Sequence, residues 1–250
     1  QEATLGGLRE YAAECAILKV HGSETLDYVV DEGVQVYGGM GYSAEADMER
    51  AYRDARINRI FEGTNEINRM LTVDIILKRA IQGELDILGP AQAVGESLME
   101  IPDFDFDDSS EFAKAKRTVE NMKKAVLLTA GAAAKQFTTS LAKEQEILMN
   151  IADIAMEAYV CESIVLRIEK MKSLSKDYSF QKEMMECYLY DAADRVNKWG
   201  KEAINSFAEG DEQRAMLMGI KRFSKVDPYN TKEARRKIAE KMIEKNTYCF

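Results

Sequence analysis

Residues 8–42 read LREYAAECAILKVHGSETLDYVVDEGVQVYGGMGY. Apolar or small residues recur here at spacings of three and four, which places them on one face of an α-helix: Leu8, Tyr11, Cys15, Leu18, Gly22, Leu26, Val29, Gly33 and Val36. The pattern predicts one long helix with this face buried, ending at Gly38-Gly39. Glycine destabilises an exposed helix by about 1 kcal/mol relative to alanine, so we expect neighbouring elements to pack closely against Gly22 and Gly33.

Two more helices are predicted after these glycines. The first covers roughly residues 48–58 and leads into a break at residues 61–65. The second covers about 66–81, with Thr64 or Asn65 as its N-cap and Gly83 at its end.

The composition of the whole chain is typical of a helical protein. Among 250 residues there are only 15 glycines and 3 prolines, few enough to allow long uninterrupted helices. Hydrophobic residues make up 46% and charged residues 31%, which separates the chain from disordered and membrane-spanning proteins. We therefore predict an all-α fold with little or no sheet.

A change of character divides the chain into two parts. Residues 89–110 contain Gly89-Pro90, Pro102, an acidic run over 103–108 and Ser109-Ser110, which is typical of a linker. We predict a first helical domain over 1–88, an acidic linker over 89–110 and an appended helical bundle over 111–250. The clearest inward-facing seam of that bundle alternates spacings of four and three: Ile147, Ile151, Ile154, Ala158, Cys161, Val165 and Ile168.

Charge and residue content argue against several functional classes. A formal net charge of -9 is unfavourable for a general nucleic-acid binder, which needs a basic face. The single His21 is too little for a usual zinc site or a Ser-His-Asp triad, and we expect no metal. The four cysteines lack C-x-x-C spacing and indicate ordinary thiols of a reducing compartment. That compartment would be the cytoplasm in a bacterium, which we favour, or the mitochondrial matrix in a eukaryote.

The two ends of the chain lead to further expectations. The start, Gln1-Glu2-Ala3-Thr4, is neither a signal nor a transit sequence, and without an initiator Met it reads as the middle of a longer polypeptide. No apolar run approaches the roughly 20 residues that span a bilayer. The basic closing stretch, residues 232–245, favours a solvated helix face, while contact with a membrane or a partner stays open.

Residues 35–67 contain motifs that are more specific than helix signals. They are QVYGGMGY at 35–42, YRDARI at 52–57 and IFEGTNEI at 60–67. In this order and at this separation they closely resemble the acyl-CoA dehydrogenase family. A lone Gly-Gly-x-Gly would be weak evidence, whereas the combined match is specific.

The resemblance implies an FAD-dependent enzyme that converts fatty acyl-CoA thioesters to trans-2-enoyl-CoA. In similar proteins the glutamate matching Glu62 removes the α-proton, while the β-hydrogen leaves as hydride to the flavin. Its backbone N–H and a flavin hydroxyl stabilise the enolate-like oxygen, and the residue matching Gly63 contacts substrate. The implied FAD contacts are one segment that crosses a subunit interface, Gln35, Val36, Tyr37, Gly38 and Gly39, and a second segment, Thr64, Asn65 and Glu66.

The same residues have simpler structural readings that remain open. Glycines 38, 39 and 41 permit close approach of the backbone and positive φ angles, as a dinucleotide site needs, but they would equally end a helix. A helix that starts at Thr64 or Asn65 presents N–H groups and a positive dipole end to an anion such as a pyrophosphate. Either residue would also cap an ordinary helix.

The chain departs from the family pattern in two ways. Residues 43–50 lack the Tyr-Pro often found before the family's Glu-Arg pair, which puts the course of that loop in doubt. The family's amino-terminal helices and middle β-domain, which hold the flavin ring, are not in this sequence. We therefore expect the chain alone to be inactive.

Residues 111–250 resemble the appended helical domain of the very-long-chain type of dehydrogenase. A duplicated bundle without a second Phe-Glu-Gly-Thr would explain them. The resemblance further implies a homo-oligomer and an electron-transferring flavoprotein as electron acceptor. The alternatives are an acyl-CoA oxidase and an assembly or scaffold protein that keeps the fold.

Overall fold

The computed structural model describes residues 2–100 and 109–250, with side chains from Leu5 onward. All regular elements in these ranges are helices and none is a strand, which confirms the all-α prediction. The chain divides into two compact units, Gln1–Asp86 and Ile87–Phe250. No helix in the described ranges combines the length and the apolar content needed to cross a bilayer.

The central element of the first unit is a long helix along which two others pack. The helices are α1 (Glu2–Glu10), α2 (Ala12–Tyr37), α3 (Gly39–Tyr42), α4 (Asp47–Ile57) and α5 (Asn65–Ile81). Both α4 and α5 pack against α2. The predicted ends are confirmed: α2 ends at Gly38, α5 begins after the N-cap Thr64, and Gly83, with a φ of 73°, follows α5.

The buried face of α2 is not the predicted one. Its buried residues, most of them small, are Ala13, Ala16, Ile17, Val20, Ser23 and Val30. The predicted stripe is largely exposed, with Leu18 at 56%, Val29 at 57% and Val36 at 83%. The prediction was wrong because α2 has apolar residues on more than one face, and periodicity does not tell which face the chain's own helices cover.

The close packing expected at two glycines of α2 occurs at one of them. A Cβ added at Gly33 would lie 2.9 Å from the Sδ atom of Met48, so α4 packs closely there. A Cβ added at Gly22 would meet no atom of the described residues within 4 Å. The expected explanation therefore holds for Gly33 and is wrong for Gly22.

The second unit is a helical bundle with a continuous apolar core. Its helices are α6 (Leu88–Glu96), α7 (Ala113–Phe137), α8 (Gln145–Ser173), α9 (Ser179–Asn205), α10 (Gly210–Phe223) and α11 (Thr231–Lys245). All seven residues of the predicted seam on α8 are buried, at 5% exposure or less. Glu157 of α8 accepts two hydrogen bonds from Arg195 of α9, at 2.7 and 3.0 Å, so the ion pair beside this core is bidentate.

The predicted linker differs from the structure in its first half. Residues 88–96 form α6, which packs against α7, and Val94 is buried in the bundle core. Pro90 permits this because it lies in the first helical turn, where a missing N–H leaves no intrahelical bond unmade. Residues 101–108, which include the acidic run, lie outside the described residues.

Candidate active site

Glu62 lies in the short connection between α4 and α5. The amides of Ile60 and Phe61 donate to the carbonyl oxygen of Ile57 at 2.9 and 3.1 Å, which closes the end of α4. Glu62 and Gly63 then both adopt left-handed backbone, with φ of 53° and 80°. This conformation disfavours a residue with a Cβ by roughly 1–2 kcal/mol. Glu62 therefore keeps it only because surrounding contacts hold the loop.

Two side chains stabilise this loop by donating hydrogen bonds to the carbonyl oxygen of Gly63. The Lys19 ammonium on α2 donates to the Gly63 oxygen at 2.7 Å, and the Asn68 amide on α5 donates to it at 2.9 Å. Lys19 also donates to the Oδ1 atom of Asn65 at 2.7 Å. The carbonyl thus has two donors, one of them charged, and is fixed towards α2 and α5.

Asn65 is the buried centre of the same network. It is 1% exposed, and its side-chain amide donates to the Ser23 hydroxyl at 3.0 Å and to Glu24 at 3.1 Å. Its backbone N–H donates to the carbonyl oxygen of Arg59 at 3.1 Å. Asn65, one of the residues for which the resemblance implies FAD contact, thus has its side chain fully engaged inside the unit.

Ion pairs extend the network along α2. Arg69 donates to both oxygens of Glu24 at 2.8 and 3.0 Å, and Arg59 donates to Asp27 at 2.7 Å. The α2 members form a polar strip at helical spacing: Lys19, Ser23, Glu24 and Asp27. Sequence reasoning missed this strip. The available signal was that Lys19, Ser23 and Asp27 recur every four residues along α2 and therefore share one face of the helix.

The surroundings of Glu62 combine apolar side chains with available donors. Glu62 is exposed, and its neighbours Ile60, Phe61 and Ile67 are 50%, 47% and 59% exposed. Within the described ranges, the backbone N–H groups of Glu62, Gly63 and Thr64 have no hydrogen-bond acceptor. A carboxylate and three donors therefore lie together on an apolar surface.

The start of α5 is capped by the side chains of Thr64 and Glu66. The Thr64 hydroxyl accepts a hydrogen bond from the Ile67 N–H at 3.3 Å. Hydrogen bonds from its own backbone N–H and from Thr64 lower the pKa of the exposed Glu66 carboxyl below its ordinary value. Glu66 is thereby held at the first turn of α5.

The other predicted flavin segment lies at the far end of α2. Gln35, Val36 and Tyr37 form its last turn, Gly38 has a φ of 59°, and Gly39 begins α3. All five residues are exposed. A Cβ added at Gly38 or Gly39 would meet nothing within 4 Å in the described ranges, so neither is confined by its own chain.

Within one chain, the structure separates the two predicted segments. Ser23 contacts Asn65 at the start of α5, and Gln35 lies twelve residues further along the same helix. At the rise of an α-helix, twelve residues correspond to about 18 Å. The residues 62–66 come together with Lys19 and Ser23, whereas residues 35–39 form a separate exposed turn.

Comparison with known proteins places both units in one family. Two family models described as "Acyl-CoA dehydrogenase, C-terminal domain" match residues 3–77 and 121–222. A probable acyl-CoA dehydrogenase of Bacillus subtilis is 42% identical over 96% of this chain and 41% of its own length. The mitochondrial very long-chain specific acyl-CoA dehydrogenase of Rattus norvegicus is 28% identical over 88% of the chain and 36% of its own length.

The fold agrees with that of a solved relative. The structure is similar to an acyl-CoA dehydrogenase complexed with FAD from Bacillus anthracis, with a TM-score of 0.91 and 42% identity over 96% of this chain and 41% of that one. The chain thus spans about two-fifths of the length of these relatives. Since models of the same domain match in both units and the solved relative matches across nearly the whole chain, the chain belongs to the acyl-CoA dehydrogenase family and corresponds to its C-terminal helical part.

Proposed function

We propose that this chain supplies the catalytic base and part of the FAD site of a dehydrogenase that acts on fatty acyl-CoA thioesters. The observation that carries the proposal is the placement of Glu62. Its carboxylate is exposed on a left-handed loop, among exposed apolar side chains and beside N–H donors without acceptors in the described ranges. An acyl chain and a thioester need such a combination of apolar surface, base and donors.

In the proposed reaction, Glu62 takes the α-proton of the thioester onto its carboxylate. Negative charge then grows on the thioester oxygen, and the N–H of Glu62 is available to donate to it. Gly63 places no side chain beside the thioester. Bound FAD supplies the acceptor for the β-hydrogen, which leaves as hydride, and the product is the trans-2-enoyl-CoA.

The residues present fit FAD at two places. The turn at Gln35 to Gly39 is exposed and carries no side chain at its two glycines. At the start of α5, the Thr64 N–H and the helix dipole suit a pyrophosphate, whereas the side-chain amide and the backbone N–H of Asn65 are both engaged within the unit. Because the resemblance implies that the first segment crosses a subunit interface, the proposal includes a homo-oligomer in which each flavin takes the two segments from different chains.

Electron-transferring flavoprotein is the proposed acceptor of the electrons. The enzymatic alternative, an acyl-CoA oxidase, would pass them to molecular oxygen instead. The non-enzymatic alternative is an assembly or scaffold protein, and the retained Glu62 argues against it. We also propose a reducing compartment, the bacterial cytoplasm or the mitochondrial matrix, supported by the free thiols Cys15, Cys161, Cys187 and Cys249.

The test is the substitution Glu62→Gln in the complete dehydrogenase, in which this chain is joined to the upstream segments of its relatives. Loss of a general base is expected to lower kcat by about 10²-fold to 10⁴-fold, with FAD content unchanged. Glu45→Gln, at an exposed position of the same unit, is the matched control and should leave kcat unchanged. Near-normal turnover of Glu62→Gln with flavin bound would refute the assignment.

A further inference from the structure

We infer that Lys19 is a positioning residue for Glu62: through the Gly63 carbonyl, its ammonium holds the loop in the conformation that presents the base. This inference rests on the proposed function and extends it to a residue of α2 outside both family motifs. Lys19 lies 43 positions before Glu62 in the sequence. Its connection to the base is visible only in the folded unit.

The loop needs an external restraint because two successive residues are left-handed. Glu62 has a Cβ, so its φ of 53° is disfavoured, whereas Gly63 at 80° is not. Without a restraint, the Glu62 backbone would return to the ordinary region and re-aim its side chain. The restraint therefore has to act on the backbone next to Glu62. The hydrogen bonds from Lys19 and Asn68 to the Gly63 carbonyl act at that position.

Lys19 is the stronger of the two donors at that carbonyl. Its 2.7 Å bond is shorter than the 2.9 Å bond from Asn68, and it carries a full charge. The same ammonium donates to the buried Asn65 at 2.7 Å, which anchors it to the polar strip. One cation thus joins the loop to α2 on one side and to the start of α5 on the other.

The direction of the Gly63 carbonyl also sets that of the next amide. In a planar trans peptide, the carbonyl and the following N–H point in opposite directions. Because the Gly63 oxygen points at Lys19, the Thr64 N–H points away from Lys19. This agrees with its lack of an acceptor in the described ranges. Lys19 therefore orients both the base and the amide that begins the α5 anion site.

The test compares Lys19→Met and Lys19→Arg in the complete dehydrogenase. Lys19→Met keeps the length of the side chain but removes the donor. Displacement of a reacting group by about 1 Å lowers rates by up to about 10²-fold, so we expect kcat to fall at least about tenfold with KM within about twofold. Lys19→Arg restores a charged donor and should recover most of the lost kcat.

The matched control is Lys78→Met, the same change at an exposed lysine of α5 that pairs with Asp74. It should leave kcat unchanged. A second readout is amide hydrogen exchange: Lys19→Met should raise the exchange rate at Asn65, whose N–H donates to Arg59, and leave Thr72 and Val73 protected. If Lys19→Met does not fold, Lys19→Leu, which also lacks a donor, replaces it in both measurements.

Glu62→Gln, assayed in parallel, separates the two hypotheses. One outcome is that Glu62→Gln abolishes turnover while the variant that lacks the Lys19 donor retains a kcat within about twofold of wild type. In that case the positioning role is wrong and the proposed function stands. If kcat falls equally in Lys19→Met, Lys19→Arg and Lys78→Met, the effect is general destabilisation and the positioning role is again wrong. If Glu62→Gln itself remains active, the proposed function fails.

Discussion

Two structural features disfavour a side chain at Gly63. A substitution there therefore tests whether the loop has the described conformation. Its φ is 80°, and an added Cβ would lie 3.0 Å from the Asn68 amide nitrogen that binds its carbonyl. Gly63→Ala should lower the free energy of unfolding by roughly 1–2 kcal/mol, from backbone strain alone. Urea unfolding of the chain measures the change.

Gly22→Ala is the control with the opposite expected sign. Gly22 lies inside α2, and a Cβ there would meet nothing within 4 Å in the described ranges. The helix propensity of alanine should raise the free energy of unfolding by up to about 1 kcal/mol. Equal effects of the two substitutions would show that the Gly63 loop is not held as the structure describes.

At the level of single residues, the motif around Glu62 could be recognised in the sequence, but the contacts that hold its loop could not. The Phe-Glu-Gly-Thr pattern identified Glu62 as the candidate base, and the N-cap, predicted as Thr64 or Asn65, is Thr64. The left-handed φ of Glu62 and its link to Lys19 could not be predicted. Both depend on where α2 lies relative to the loop, which local residue preferences do not determine.

Among the helices, Glu111 joins three elements of the second unit and predicts a pH dependence. It precedes α7 and accepts hydrogen bonds from Lys172 of α8 at 2.7 Å, Lys182 of α9 at 2.9 Å and Tyr178 at 3.0 Å. These bonds, led by that from Lys172, lower the pKa of the Glu111 carboxyl from 4.5 to about 2. A lowered pKa means that the folded state favours the carboxylate, so its stabilisation is present above pH 4.5 and is lost as the pH falls towards 2.

The free energy of unfolding of Glu111→Gln should therefore lie below that of wild type near neutral pH. The difference should shrink when both are measured by urea unfolding at about pH 3. Glu244→Gln, at an exposed position of α11, is the control and should show no such convergence. A difference that stays constant with pH would mean that the carboxylate's charge does not contribute.

The helices also show which patterns predict structure well. The seven seam residues on α8 were predicted correctly because their four-three alternation is strict, although α8 also buries Leu148, Ala152, Met156, Glu157 and Val160 outside that seam. The buried face of α2 was predicted wrongly because the helix has apolar residues on two faces. Ile17 and Val20 lie on the face that is buried, whereas Leu18 and Val29 lie on the face that is exposed. Gly89-Pro90 was read as a break, although a proline in the first turn is compatible with a helix.

At the scale of the whole molecule, we expect the chain by itself to bind FAD weakly or not at all. Its two predicted flavin segments are separated by about 18 Å along α2, and the resemblance implies that one of them contacts FAD across a subunit interface. The resemblance implies that a β-domain outside these 250 residues encloses the flavin ring, and without such an enclosure little apolar burial offsets the ordering of the ligand. Purified chain should be colourless, whereas a yellow preparation with stoichiometric FAD would contradict this expectation.

Two regions of the chain match models of the same domain, which supports the predicted duplication of the bundle. The two regions differ in the motif that carries the proposed base. Residues 121–222 contain no second Phe-Glu-Gly-Thr, and an ion pair between Glu157 and Arg195 lies beside the core of the second unit. The duplication remains a prediction about origin, while the division of the chain into two units is a property of the structure.

The left-handed conformation of Glu62 has a consequence for how such a protein changes over generations. Glycine is the residue that this backbone accepts most easily, and a single-base change in a glutamate codon can produce it. With Glu62 as the proposed base, a lineage no longer selected for turnover would gain stability by replacing it with glycine, and selection for stability would favour that replacement. In an inactive descendant of this fold, we therefore expect Glu62 to be replaced before the other residues of the proposed site.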